Sequence, residues 1–213
     1  MIDRLDRSIG TLVDGLKQRG MMENTLIVLL SDNGGNAESG PRGRLEGDEP
    51  GGPNSTVFLG QCWATLANTP LHRYKHFTHE GGISTPLIVH WPAGIPRERN
   101  GQLETQPGHL IDLMPTFLEV TGAGYPSQHK GHAIQPIEGI SLVPALSGKP
   151  LEREAPIFFA HKGNRGIRSG KWKLVMKYKG PWELYDIETD RTERRNLIEQ
   201  QPELAQQLIA QWE

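Results

Sequence analysis

Two short apolar runs, residues 25–30 (TLIVLL) and 86–91 (PLIVHW), most constrain the fold of this 213-residue chain. Both are rich in aliphatic and β-branched residues, a composition typical of strands that are covered on both faces. Before the first run, residues 2–19 carry apolar side chains at helical spacing and predict an amphipathic helix. A helix followed by two such strands predicts an α/β fold with helices flanking the sheet.

The pattern changes after residues 147–150 (SGKP). Short segments of alternating polarity follow, and residues 168–171 (RSGK) predict a hairpin turn between two strands. Pro202 stands where a terminal helix would begin, while residues 110–121 predict an earlier helix that stops at Gly122. We therefore predict an α/β domain over residues 1–150 and a small antiparallel β subdomain with a terminal helix over residues 155–213.

Composition narrows the function classes. The formal net charge is −2, so no basic surface suggests a nucleic-acid partner. Every apolar run is far shorter than the roughly 20 residues of a membrane-spanning helix, so we predict no membrane partner. Cys62 is the single cysteine and cannot form an internal disulfide. Its neighbours Trp63 and Ala64 favour a buried, inert thiol with a packing role.

Asp32 and Asn33 directly follow the first apolar run, and open α/β sheets bind ligands at such strand ends. Their carboxylate and amide oxygens suit a hard cation such as Ca²⁺, which takes about six to eight oxygen ligands. Gly34 and Gly35 would let the backbone turn sharply and approach closely. Asp-Asn-Gly-Gly is also favoured turn chemistry, so local sequence leaves an ordinary turn open.

A second polar cluster precedes the other apolar run. Residues 74–82 (YKHFTHEGG) bring Lys75, His76, His79 and Glu80 together before a Gly-Gly turn. The ammonium group of Lys75 would suit the oxygens of a tetrahedral anion, and His79 could serve as a base or a ligand. A solvated basic loop is the simpler interpretation of the same residues.

Five segments in the same order resemble one known family. The chain is similar to the carboxy-terminal part of formylglycine-dependent sulfatases, most of all bacterial arylsulfatases, within the alkaline-phosphatase-like superfamily. The matching segments are LDRSIGTLVDGLKQRG, ENTLIVLLSDNGG, ANTP with YKHFTHEGGISTPLIVHWP, HLIDLMPTFLEVTG, and GNRGIRSGKWKLV with WELYDIETDRTERRNL. The resemblance implies part of an alkaline-phosphatase-like mixed sheet with flanking helices, followed by a small antiparallel sheet and a C-terminal helix.

By position, the resemblance implies that Asp32 and Asn33 are Ca²⁺ ligands and that Lys75 binds a substrate sulfate oxygen. It implies structural roles for Asp112 and Trp172. In the family, a formylglycine hydrate attacks the sulfur of a sulfate ester while calcium neutralises charge on the sulfate oxygens. The substrate would therefore be a sulfate ester, and the intact enzyme would be periplasmic or secreted.

The chain departs from the family at the nucleophile. It contains no Cys-Xaa-Pro-Ser-Arg motif from which formylglycine could form, and Cys62 is followed by Trp-Ala-Thr. The amino-terminal Asp-Asp pair of the calcium site is also absent. We expect a fragment that is inactive alone and that self-associates through an exposed sheet edge.

Two other interpretations stay open. One is a non-catalytic module that binds sulfated ligands through Lys75 and Arg73. The other is a phosphate or phosphonate ester hydrolase of the same superfamily. The HEGG segment and the GNRGIRSGKWKLV stretch favour sulfate.

Overall fold

The computed structural model describes residues 2–213. Three 3₁₀ turns, at Met22–Asn24, Arg97–Arg99 and Leu110–Asp112, connect longer elements. In chain order the helices and strands are α1 (Ile2–Gln18), β1 (Ile27–Leu30), β2 (Arg44–Glu46), β3 (Thr56–Phe58), α2 (Gln61–Asn68), α3 (Glu80–Ile83), β4 (Leu87–His90), α4 (Leu113–Thr121), β5 (Gln128–His129), β6 (His132–Ala133), α5 (Val143–Leu146), β7 (Ile157–His161), β8 (Asn164–Ser169), β9 (Trp172–Met176), β10 (Trp182–Asp186) and α6 (Pro202–Trp212).

Internal contacts divide the chain into two units. The first contains residues 29–88 and 155–213, and the second contains residues 2–28 and 89–154. The division passes through both β1 and β4, which pair in a two-stranded sheet. The domain limits expected from sequence, 1–150 and 155–213, stay a prediction.

Both strands expected from the apolar runs are present, but the prediction that both of their faces are covered is wrong. No residue of β1 or β4 is buried, and the side chain of Ile88 is 59% exposed. Strands covered on both faces would have buried side chains, whereas the side chains of these strands are at most half-buried. Helix α1 forms where its periodicity predicts, yet none of its described side chains is buried.

The carboxy-terminal part of the first unit is a four-stranded antiparallel sheet in the order β10-β9-β8-β7. The predicted turn between β8 and β9 is confirmed: Ser169 faces Trp172 across the ladder, and Gly170 adopts a φ of 55°. Side chains from the three strands β8, β9 and β10 pack against α6 and form the core, which contains Ile167, Leu174, Leu184, Ala205 and Leu208. This confirms the predicted small sheet with its terminal helix.

In the second unit, a buried carboxylate organises the entry into α4. Asp112 accepts hydrogen bonds from the backbone N–H groups of His109 and Ile140, at 2.7 and 2.9 Å, and pairs with Arg153. At the other end, α4 stops at Gly122, whose φ of 67° is the left-handed geometry that glycine favours. Asp112 therefore has the structural role expected of it.

The polar stretch between β1 and α3 contains the short β2–β3 hairpin and helix α2. Cys62 lies near the start of α2 and is exposed, so the prediction of a buried thiol is wrong. Ala64 is the buried residue of this helix because α2 turns that face inward. No helix within residues 2–213 has the length and apolarity needed to cross a membrane.

Candidate functional site

The two polar segments singled out in the sequence meet through their backbones in the first unit. The N–H of Gly34 donates to the carbonyl of Gly82 at 3.1 Å, and the N–H of Lys75 donates to the carbonyl of Gly35 at 3.0 Å. A Cβ atom on Gly34 would overlap the carbonyl oxygen of Gly81. Glycine is therefore required by close approach of two chains, and the loop after β1 is fixed to the loop that carries Lys75.

Asp32 and Asn33 lie at the end of β1 with free side-chain oxygens. Asp32 is exposed and Asn33 is half-buried. Across residues 2–213, no hydrogen bond or ion pair engages either side chain. Side-chain oxygens without a partner on two consecutive residues are chemically suited to act as ligands of a hard cation such as Ca²⁺. They are not enough alone, since no group of three or more His, Cys, Asp or Glu side chains in the described chain could hold a metal.

Lys75 has a partner that the sequence did not suggest. Its Nζ lies 3.2 Å from Oε2 of Glu38, and Oε1 of the same carboxylate lies 3.0 Å from Nε2 of His76. The hydrogen bond from Lys75 holds the pKa of Glu38 below its usual value. A single glutamate within a glycine-rich loop belongs to no recognisable local pattern, so only the fold identifies Glu38 as the partner of Lys75.

His76 continues this cluster into the carboxy-terminal sheet. Its Nδ1 lies 2.9 Å from Nε2 of His161, and the two rings stack with centroids 5.0 Å apart. The buried carboxamide of Asn164 donates to the backbone carbonyls of His76 and His161, at 2.9 and 3.0 Å, and accepts from the N–H of Tyr178 at 3.1 Å. One amide therefore holds both histidines in place.

Thr78 and Glu80 belong to the segment over residues 74–82, the Lys75 loop, and both contact the same sheet. The hydroxyl of Thr78 donates to the carbonyl of Arg165 at 2.7 Å. Glu80 lies 2.6 Å from Nζ of Lys173, which lies 2.9 Å from Glu193, and all three side chains are buried. Burial pushes the pKa of Glu80 upward, but attraction to Lys173 outweighs burial and lowers it. For Glu193 burial prevails, and its pKa is raised.

His79 is completely buried beneath the loop. Its Nε2 lies 3.1 Å from Oε2 of Glu183, which also accepts a 2.7 Å hydrogen bond from the hydroxyl of Tyr185. Burial lowers the pKa of His79. Because an ionised carboxylate can only accept, the ring donates its Nε2–H to Glu183. That hydrogen bond, followed by the one from Tyr185, lowers the pKa of Glu183 to about 2. His79 therefore supports the loop from below rather than facing a ligand.

Together these contacts divide the predicted residues into two groups. Asp32, Asn33 and Lys75 have side chains that reach solvent on loops held together by backbone hydrogen bonds. His79 and Glu80 are buried supports that attach the Lys75 loop to the sheet. The arrangement can present an ammonium group and two oxygen ligands on a fixed scaffold. It contains no serine, cysteine or threonine placed as an activated nucleophile among the residues named here.

Comparison with protein families identifies the relatives of this chain. The family model described as "Sulfatase" matches residues 1–123, and the one described as "N-sulphoglucosamine sulphohydrolase, C-terminal" matches residues 72–212. The whole chain aligns with 41% of an uncharacterized sulfatase of Schizosaccharomyces pombe, and the two are 28% identical over the aligned residues. It is 33% identical to an arylsulfatase of Klebsiella aerogenes over 74% of the chain and 36% of the relative.

Solved structures share the fold. The crystal structure of Ps i-CgsB in complex with k-i-k-neocarrahexaose superimposes with a TM-score of 0.74 at 27% identity, covering 99% of this chain and 40% of that one. A phosphonate monoester hydrolase of Agrobacterium radiobacter has a TM-score of 0.58 at 20% identity over 99% of this chain and 38% of its own, a likeness of fold alone. The chain thus spans about two fifths of these relatives, with part of their alkaline-phosphatase-like architecture. It belongs to the sulfatase family.

Proposed function

We propose that this chain supplies one part of the active site of a sulfuric ester hydrolase: two calcium ligands and a sulfate-binding lysine. The observation that carries the proposal is the backbone junction between the loop after β1 and the Lys75 loop, in which Gly34 bonds to Gly82 and Lys75 bonds to Gly35. This junction keeps the metal-type oxygens and the ammonium group on one scaffold. A sulfate ester requires both kinds of group.

Asp32 and Asn33 would hold the cation through their side-chain oxygens. Calcium, when bound, would neutralise negative charge on the sulfate oxygens. Because two side chains supply far fewer than the roughly six to eight oxygens that Ca²⁺ prefers, further ligands must come from outside the residues named here. The unengaged state of both side chains supports this assignment.

Lys75 would bind a sulfate oxygen through its ammonium group. Its position is set by the buried supports under the loop, above all the ion pairs of Lys173 with Glu80 and Glu193. The family's nucleophile is a formylglycine made from a Cys-Xaa-Pro-Ser-Arg motif, which the printed sequence does not contain. We therefore propose that the chain as printed does not hydrolyse sulfate esters by itself.

A calorimetric Ca²⁺ titration tests the metal assignment. We expect a dissociation constant weaker than about 1 mM, because the site is short of ligands. Asp32→Ala should abolish this weak binding, whereas the matched control Asp48→Ala, on an exposed turn, should leave it unchanged. Binding that survives Asp32→Ala would refute the role of Asp32. Micromolar affinity would refute the proposal that the site is incomplete.

A sulfate titration separates the proposal from its alternatives. Weak binding that is lost in Lys75→Met supports the lysine assignment. Sulfate-ester binding that is strong without Ca²⁺ would instead favour a non-catalytic binding module. Phosphonate esters preferred over sulfate esters would favour the other hydrolase, for which likeness of fold is the sole support.

We also propose self-association through the two-stranded sheet. Its strand β4 presents Leu87 and Ile88 to solvent, and β1 presents Leu29. Exposed strands with apolar side chains readily pair with other chains. Size-exclusion chromatography with light scattering should detect oligomers whose proportion rises with protein concentration. A monomer at every concentration would contradict this.

A further inference from the structure

The Glu38 carboxylate occupies a position that resembles an anion-binding site. It accepts from the ammonium group of Lys75 at 3.2 Å and from Nε2 of His76 at 3.0 Å. These two donors come from consecutive residues, whose side chains ordinarily point in different directions. Here both reach one carboxylate, and an oxyanion such as sulfate would require the same two donors.

The backbone explains how the two donors converge. His76 adopts a φ of 86°, in the left-handed region that non-glycine residues rarely occupy. Asn164, which is 6% exposed, holds the His76 carbonyl through its amide, and the same amide holds the carbonyl of His161. An unfavourable backbone conformation that neighbouring groups hold in place is a common feature of binding sites.

The proton positions follow from the partners. An ionised Glu38 can only accept, so His76 must carry a proton on Nε2. In its neutral form His76 then has a bare Nδ1, which accepts from Nε2–H of His161. If His76 gains a second proton, on Nδ1, His161 must carry its own proton on Nδ1 instead of Nε2, so that the hydrogen bond reverses direction and Nε2 of His161 accepts. The pair can therefore take up a proton without losing the contact between its rings.

We propose that Glu38 is an exchangeable internal counter-ion in an oxyanion site formed by Lys75 and His76, and that sulfate binding displaces it with uptake of one proton by the His76–His161 pair. The inference rests on the proposed role of Lys75. The oxyanion takes both donors, the Glu38 carboxylate moves into solvent, and the proton comes from solvent. His76 is thereby assigned as a sulfate-binding residue beside Lys75.

The charges around the pair set the direction of the pH effect. The groups that face His76 are Glu38, Lys75, His161 and Lys162. Burial, followed by the positive charge of Lys162, lowers the pKa of His76. An incoming anion favours the protonated ring of His76, so affinity for sulfate must rise as pH falls through the histidine range.

The test is calorimetric titration of the chain with sodium sulfate at constant ionic strength. Two buffers with different ionisation enthalpies report the number of protons taken up. We expect affinity to rise by about tenfold per pH unit as pH falls from about 8, with uptake of roughly one proton, and to level off once His76 of the unliganded chain is itself protonated. Glu38→Gln should bind sulfate about fivefold more tightly at about pH 8, because its neutral amide competes poorly. His76→Gln should lose both the pH dependence and the proton uptake.

Two further variants make the outcomes distinguishable. Glu49→Gln removes the same charge from an exposed turn of the same segment and should behave like the unchanged chain. Lys75→Met should lose binding; if it binds normally, the role of Lys75 in the proposed function fails, and this inference fails with it. If Lys75→Met loses binding but Glu38→Gln binds no more tightly than Glu49→Gln, the counter-ion exchange alone is overturned. Proton uptake that persists in His76→Gln would also overturn it.

Discussion

Lys173→Met tests whether the carboxy-terminal sheet holds the Lys75 loop through buried charge. Lys173 is fully buried in β9, with Nζ at 2.6 Å from Glu80 and 2.9 Å from Glu193. Methionine fills much of the same space but leaves two buried carboxylates without their cation. Breaking a buried ion pair by removing one partner costs about 3–5 kcal/mol of unfolding free energy. At about 2–4 °C per kcal/mol for a chain of this size, the melting temperature should fall by about 6–20 °C.

The measurement is thermal unfolding by circular dichroism between about pH 7 and about pH 5. In the unchanged chain the pKa of Glu80 is lowered, so its contribution to stability is present above its unfolded pKa and is lost as pH falls through its folded pKa. In the variant only the weaker attraction of Arg168 and Arg191 still offsets burial of Glu80, so the carboxylates protonate more readily and the deficit should shrink on acidification.

A matched control is Lys171→Met, which breaks the pair with Asp186 at 2.9 Å, where the lysine side chain is 43% exposed although Asp186 is buried. This change should cost less stability than Lys173→Met, because solvent reaches the ammonium group of Lys171 and because backbone N–H groups of Glu188 and Thr189 still donate to Asp186. The reasoning would be refuted if Lys173→Met cost less than about 1 kcal/mol, as an exposed pair does, or if its deficit stayed constant as pH fell.

Three further predictions concern other parts of the structure. Gly34→Ala should destabilise the chain by about 3 kcal/mol through backbone overlap, whereas Gly10→Ala, with open space around it in α1, should stabilise it by about 1 kcal/mol in urea unfolding. The hydrogen bond from His79 lowers the pKa of Glu183 to about 2. The contribution of Glu183 to stability is therefore present above its unfolded pKa and disappears as pH falls from about 4.5 toward 2. Glu183→Gln should make the free energy of unfolding depend less on pH over this acidic range. Cys62 is exposed and should react completely with a thiol reagent in the native state; slow labelling that needs denaturant would contradict its placement.

The local signals in the sequence were accurate where structure depends on neighbours along the chain. Helical periodicity located α1, Pro202 located the start of α6, and the turn at Gly170 located the β8–β9 hairpin. These features depend on backbone preferences that act over a few residues. The apolar runs likewise located β1 and β4, but coverage of a strand depends on layers supplied by distant parts of a fold, and that expectation was wrong.

The candidate site divides in the same way. Asp32, Asn33 and Lys75 could be identified because each stands in a segment that resembles the sulfatases, and their roles stay a prediction. Glu38 and His161 could not be identified from the sequence. Glu38 lies 37 residues from Lys75, which it contacts, and His161 lies 85 residues from His76, which it contacts. Hydrogen bonds at such separations leave no period or spacing in the sequence.

By itself, then, the sequence determined the family and the positions of the main helices and strands. Both depend on local composition and on short motifs. Tertiary structure alone decided which polar side chains meet. Lys173 lies between two carboxylates, Glu38 pairs with Lys75, and Asn164 donates to the backbone carbonyls of two histidines. The physical reason is that the residues forming these contacts lie far apart along the chain and are brought together only when the sheet closes against the Lys75 loop. Burial strengthens the contacts of Lys173 and Asn164, whereas the pair of Glu38 with Lys75 stays open to solvent.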